Sequence, residues 1–129
     1  MRWSHKSTVY AHPNSDFVYA AGKDGNPLVH LTGVTARNEQ GTVVAPGDIE
    51  AQMVQVFDNI GRILEELGLS YEDVIAVTTY ITDEAGFEAF TKVKGRYLGE
   101  EGPVTIITQV SRLFDPAQMV EIQTVALRD

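Results

Sequence analysis

One carboxylate occupies the most suggestive position in this chain. In Met119-Val120-Glu121-Ile122-Gln123-Thr124-Val125-Ala126 the residues alternate as a β-strand does. Val120 and Ile122 turn to one face, and Glu121 shares the other with Met119, Gln123 and Val125. A carboxylate among such neighbours invites a raised pKa or a fixed water, and a general base uses both. The plain alternative is a solvated glutamate on an open strand face. Thr32-Gly33 is a second candidate, pairing a hydroxyl with a glycine that lets a ligand approach the backbone, or else forming a simple bend. His30 lies two residues before Thr32 on the same predicted strand face, either lining a cleft or serving structure. The spacing of His5, His12 and His30 matches no metal motif. No Gly-x-Gly-x-x-Gly fingerprint, Walker loop or Gly-x-Ser-x-Gly elbow occurs, so neither a metal nor a cofactor is expected.

These groups need a scaffold, and the hydrophobic patterning predicts one. Residues 2 to 10 read as a first strand and Phe17-Val18-Tyr19-Ala20-Ala21 as a second short apolar run. Asp24-Gly25-Asn26-Pro27 is a tight turn, and Leu28-Val29-His30-Leu31-Thr32-Gly33 a strand ending on glycine. Ile49, Met53, Val56, Phe57, Ile60, Ile63, Leu64 and Leu67 then recur at spacings of three and four. They predict an amphipathic helix of about 28 Å, capped by Asp48 and terminated by Gly68. Val74-Ile75-Ala76-Val77-Thr78-Thr79-Tyr80-Ile81 is a β-branched strand. A second helix runs from about Ala85 to Leu98 and stops at Gly99 and Gly102-Pro103. A strand through Gly102-Pro103-Val104-Thr105-Ile106-Ile107-Thr108-Gln109-Val110-Ser111-Arg112-Leu113 precedes the one bearing Glu121. The expected architecture is one domain over residues 1–129, an α+β sandwich with both helices on one face of a mixed sheet. Apolar residues on both sheet faces point to association of several copies, sheet against sheet.

Bulk composition narrows the function. The 129 residues suffice for one core, with 43% hydrophobic and 22% charged residues. Eighteen acidic against ten basic side chains give a net charge of −8, which repels a phosphate backbone, so no nucleic-acid partner is expected. Lys92, Lys94 and Arg96 complement the C-terminal dipole of the second helix. No membrane association is expected either, because no long apolar run or basic leader occurs. The absence of cysteine removes disulfides and thiolate chemistry and fits a cytoplasmic home.

Four stretches in order carry a resemblance. They are the run around Tyr19 with the downstream Thr32-Gly33; Gln52-Met53-Val54-Gln55-Val56-Phe57-Asp58-Asn59-Ile60 with Leu64 and Gly68; Asp73 through Asp83 with Phe87; and the two closing strands. From about residue 19 to residue 126 the chain resembles the RidA/YjgF (reactive intermediate deaminase) family. The resemblance implies a homotrimer of chorismate-mutase-like subunits, with sheets lining a central barrel and clefts between subunits. In those clefts reactive enamines and imines such as 2-aminoacrylate are hydrolysed to release ammonia. Carried over by position, it makes Glu121 and Tyr19 the catalytic pair, with Thr32, Gly33, Thr91, Thr105 and Ile107 binding substrate; His30, beside Thr32, is a further binding candidate from its strand face alone.

The departures from the family pattern shape the expected ligand. Thr105 stands two residues after the proline, where the family has an arginine that grips a carboxylate, and Thr91 replaces an asparagine. A bidentate arginine–carboxylate contact contributes about 1.5–3 kcal/mol per charged hydrogen bond, against one neutral hydroxyl here. Arg112, seven positions on in the same predicted strand, falls on the opposite face about 23 Å away. Arg37 and Arg96 are candidates for a charge supplied by a neighbouring subunit, and the sequence does not place them. The leading expectation is hydrolytic deamination or tautomerisation of an imine or enamine without a tightly gripped carboxylate. The alternative is a non-catalytic trimer that binds a metabolite or protein partner. The endoribonuclease label carried by some family members conflicts with the acidic surface.

Overall fold

The computed structural model describes residues 1–14 and 16–129, and its elements follow the order β1 (Arg2–His5), β2 (Ala20–Lys23), β3 (Leu28–Thr35), α1 (Ile49–Glu66), β4 (Val74–Ile81), α2 (Ala85–Leu98), β5 (Val104–Gln109) and β6 (Val120–Leu127). The strands form one sheet in the order β1-β2-β3-β6-β4-β5. Every pairing is antiparallel except β4 with β5, which run parallel across the α2 crossover. Among the described residues no helix is long and apolar enough to cross a membrane.

Helix α1 organises the core. The Asp48 carboxylate accepts the Ala51 amide at 3.0 Å and starts the helix. Gly68, at φ +75°, ends it in a Schellman turn, with the Leu69 amide donating to the Leu64 carbonyl at 2.8 Å. Both ends are the residues that the sequence predicts. Met53, Val56, Phe57, Ile60, Ile63 and Leu64 are fully buried against β3 and β6. Each such side chain contributes about 1.5–3 kcal/mol of burial. Helix α2 packs on α1, where Phe57 stacks on Tyr97 with centroids 4.9 Å apart.

The first sheet strands differ from expectation. β1 stops at His5 because the Ser7 hydroxyl accepts the Val9 amide at 3.0 Å and turns the chain. The apolar run at Phe17 joins the sheet only at Tyr19, whose amide donates to the His5 carbonyl and whose carbonyl accepts the Thr32 amide, both at 2.8 Å, while its aromatic rings pack against Tyr10 and His12. β3 continues past Gly33 to Thr35 and carries a bulge, with Leu31 and Thr32 together facing Thr124 of β6. β5 ends at Gln109, so Arg112 is not on that strand. Its guanidinium donates to the carbonyls of Leu113 and Phe114, both at 3.1 Å, and curls the chain away.

Two buried amides of α1 tie the helix to the sheet. Asn59 Nδ2 donates to the Thr35 carbonyl at 3.0 Å and the Arg37 carbonyl at 2.9 Å. Gln52 Nε2 donates to Ala117 at 2.8 Å and Val44 at 3.1 Å, while its Oε1 accepts the Met119 amide at 2.8 Å. Unpaired buried carbonyls are costly, so Asn59→Ala is expected to lower the unfolding free energy by about 1–3 kcal/mol. Urea denaturation checks this through a lower midpoint at an unchanged slope.

Candidate functional site

Pairing in the sheet decides what shares a face with Glu121. Glu121 of β6 lies opposite Thr35 of β3 and Tyr80 of β4, while its neighbours Val120 and Ile122 are buried against the helices. Glu121, Gln123 and Val125 are therefore on the sheet face that no helix covers, as the alternation predicts. Gly33 makes room for the carboxylate. A Cβ built there would overlap Glu121 Oε2 and approach its Cδ to 2.8 Å.

A cleft of about 320 Å³ opens above these residues. Thr32, Gly33, Thr35 and Glu121 lie along its sheet side, while Tyr10, His12, Pro13, Phe17, Arg37, Phe114 and Gln118 complete the lining. His12 stacks on Phe17 with centroids 3.7 Å apart, and Phe114, 82% exposed, stands at the edge of the cleft. Burial pushes the Glu121 carboxyl above its usual value, and no hydrogen bond or ion pair to it occurs among the described residues. Burial first, and the Arg37 charge behind it, hold the His12 imidazole below its ordinary value.

The residues expected from sequence fall into separate places. Thr32, Gly33 and Glu121 meet in the cleft. Tyr19 lies behind it, only 3% exposed, with its hydroxyl donating to the Tyr10 carbonyl at 2.6 Å. Burial pushes that phenol up to about 12, so within one chain Tyr19 supports the Tyr10–Phe17 wall and presents no acid to a ligand. His30 is exposed beyond the bulge, paired with Ala21 and Val125, in a groove of its own beside Thr32. Thr105 is in register with Val77, which pairs with Thr124; Ile107 is in register with Thr79, which pairs with Ile122. Those partners are buried under the helices, so Thr105 and Ile107 face the opposite side of the sheet from Glu121. Thr91 is on the same side, exposed on α2, with Oγ1 donating to the Phe87 carbonyl at 3.1 Å.

Sequence reasoning missed Tyr10, Thr35, Phe114 and Gln118, and left Arg37 unplaced. The signal available was Gly33-x-Thr35-x-Arg37, whose spacing of two continues the Glu121 face along β3. Among the described residues no cluster of three or more histidine or acidic side chains is placed to hold a metal.

The class of protein follows from fold and cleft together. A mixed six-stranded sheet, helices on one face and an open cleft on the other, is the architecture of the YjgF-type proteins. RidA from the Antarctic bacterium Psychrobacter shares it with a TM-score of 0.83 at 26% identity, over 97% of this chain and 98% of that one. An endoribonuclease-like protein of Thermotoga maritima gives a TM-score of 0.87 at 25% identity, over 100% of this chain and 99% of that one. The sequence matches the Endoribonuclease L-PSP family over residues 10–128, and the chain belongs to this family, also known as RidA/YjgF. The 3-aminoacrylate deaminase RutC of Acinetobacter baylyi is 32% identical over 108 residues, 84% of this chain and 85% of its own. A RutC family protein of Pyrococcus horikoshii is 36% identical over 107 residues, 83% of each chain.

The raised Glu121 pKa has a stability consequence. The folded state holds this proton more tightly than the unfolded chain, whose carboxyl titrates near 4.5. The associated stability is present below pH 4.5 and lost as pH rises through the folded value. Glu121→Gln is therefore expected to be more stable than the native protein at about pH 7.5, with the gain vanishing at about pH 4. Urea denaturation at the two pH values checks it.

Proposed function

We propose that this protein hydrolyses a small enamine or imine in the Glu121 cleft and releases ammonia. The observation that carries the reading is a desolvated carboxylate without a protein partner at the base of an open cleft. A relative named 3-aminoacrylate deaminase, at 32% identity, supports the same chemistry. In this reading an ionised Glu121 takes a proton from water as the water oxygen bonds to the imine carbon. The carboxyl returns that proton to the nitrogen, giving a carbinolamine; the carboxylate then takes the hydroxyl proton and passes it to the amino group as the C–N bond breaks, so ammonia leaves behind a carbonyl. An enamine first gains a proton at carbon to become the imine. Glu121 must be ionised to begin, so activity rises with pH through its elevated pKa.

The reading includes a trimer. Val104 is 70% and Ile106 57% exposed on the edge strand β5, an apolar strip that a second copy would cover. Such packing would bring Thr91, Thr105 and Ile107 of one copy to the Glu121 cleft of another, where Tyr19, Thr32, Gly33 and His30 supply or border the far side. The net charge of −8 disfavours the ribonuclease activity that the family description names.

The test generates imines in situ with amino-acid oxidases and a pyridoxal-phosphate lyase and follows their capture by semicarbazide. The native protein is expected to deplete the trapped imine, and Glu121→Gln to lose about 10²- to 10⁴-fold in rate. Light scattering is expected to give three chains per particle for both. No depletion of any imine by a folded trimer would overturn the enzymatic reading in favour of a binding protein.

A further inference from the structure

The loss of the family arginine at position 105 predicts a ligand without a gripped carboxylate, but one guanidinium already faces the Glu121 cleft. Arg37 lines it, with its side chain only 9% exposed. We propose that Arg37 binds the carboxylate of the substrate from within the same chain, so that the anion clamp has moved to the end of β3. The inference rests on the deaminase reading and names the charge class of its substrate.

The backbone holds Arg37 firmly. Its amide donates to the Thr35 carbonyl at 3.0 Å, forming a tight turn at Ala36, and Asn59 grips the carbonyls on both sides of that turn. Arg37 also bridges to Val43 across the following loop. The side chain is far less satisfied than the backbone. A guanidinium carries five N–H donors. Nη1 donates to the Gly41 carbonyl at 2.5 Å, and Nη2 lies 3.7 Å from Asp115 Oδ2, beyond hydrogen-bond length. No other partner occurs among the described residues. A charge nine-tenths buried with most of its donors open is costly unless water or an anion meets it.

Arg37 is also not the counterion of Glu121. Burial alone accounts for the raised Glu121 carboxyl. Both charges act on the Tyr10 phenol, which hydrogen bonds with Thr35. One cleft thus holds a cation and a carboxylate together with Tyr10 and Thr35. A small imino acid has the matching order, a carboxylate next to the carbon that water must attack. With its carboxylate on Arg37, the C=N carbon lies toward Glu121. Asp115, whose side chain is 36% exposed, weakens the Arg37 charge from outside.

Binding separates this proposal from the reading it rests on, because it needs no turnover. Calorimetric titration would compare 2-oxobutanoate, the carbonyl product of an imino acid, with its uncharged amide. The native protein is expected to prefer the acid by about 10- to 100-fold. Arg37→Met is expected to erase that preference while the amide still binds. Asp115→Asn retains the Oδ1 that accepts the Ala117 amide at 2.9 Å, and is expected to tighten acid binding several-fold. That variant decides the matter if Arg37→Met does not fold. An acid preference that survives in folded Arg37→Met, or that Asp115→Asn leaves unmoved or weakens, would overturn the proposal. Arg37-dependent acid binding without imine turnover would sustain the clamp and remove the deaminase reading.

Discussion

Two carboxamides buried in the first helix hold this structure in register. Gln52 and Asn59 are two turns apart on the inner face of α1, about 10 Å along the axis. Asn59 fixes the end of β3 at Thr35 and Arg37; Gln52 fixes the approach to β6 at Ala117 and Met119. Those are the two chain segments that carry Arg37 and Glu121. The helix acts as a spacer between them. Apolar residues at these positions would bury as well, but would leave the carbonyls of irregular backbone unpaired in the core. The polar interruptions of the apolar stripe thus position the cleft, while the stripe itself stabilises the fold.

The electrostatics of the cleft follow from that frame. Glu121 is desolvated on one side by the sheet and kept clear of counterions, with Gly33 yielding the space a side chain would fill. Arg37 is fixed by its backbone and the Gly41 carbonyl, with Asp115 at 3.7 Å on one side, so most of its donors stay available to the cleft. The two opposite charges of the cleft form no ion pair with each other among the described residues. In a medium of lower dielectric than water each acts strongly on a bound molecule.

Much of this was legible in the sequence, and the limits have physical causes. Both helices and β4 follow from local periodicity and capping, which need no partner. The face of Glu121 follows from alternation along β6. The face of Thr105 does not, because it depends on the parallel register of β5 with β4, a long-range pairing that leaves no local pattern. β1 and β2 come out shorter than their apolar runs suggest: Ser7 turns the chain after His5, and the rings of Tyr10, Phe17 and Tyr19 pack on one another at the cleft wall, with Tyr19 alone bonding through its backbone to His5 and Thr32. Arg37 follows a bend that Asn59 imposes from another element, and only its spacing of two from Thr35 and four from Gly33 hinted at its side. The hydrogen bond from the Tyr19 hydroxyl to the Tyr10 carbonyl leaves no local pattern either, since it joins residues nine apart across a loop.

The central claim is that this frame keeps a desolvated, uncompensated carboxyl in the cleft. Carbon-13 NMR of the side-chain carboxyl of Glu121, titrated across the acidic range, tests it directly. The account predicts a midpoint clearly above the ordinary value of 4.5. A midpoint at or below that value would mean that water or a cation compensates the group, and would contradict the account.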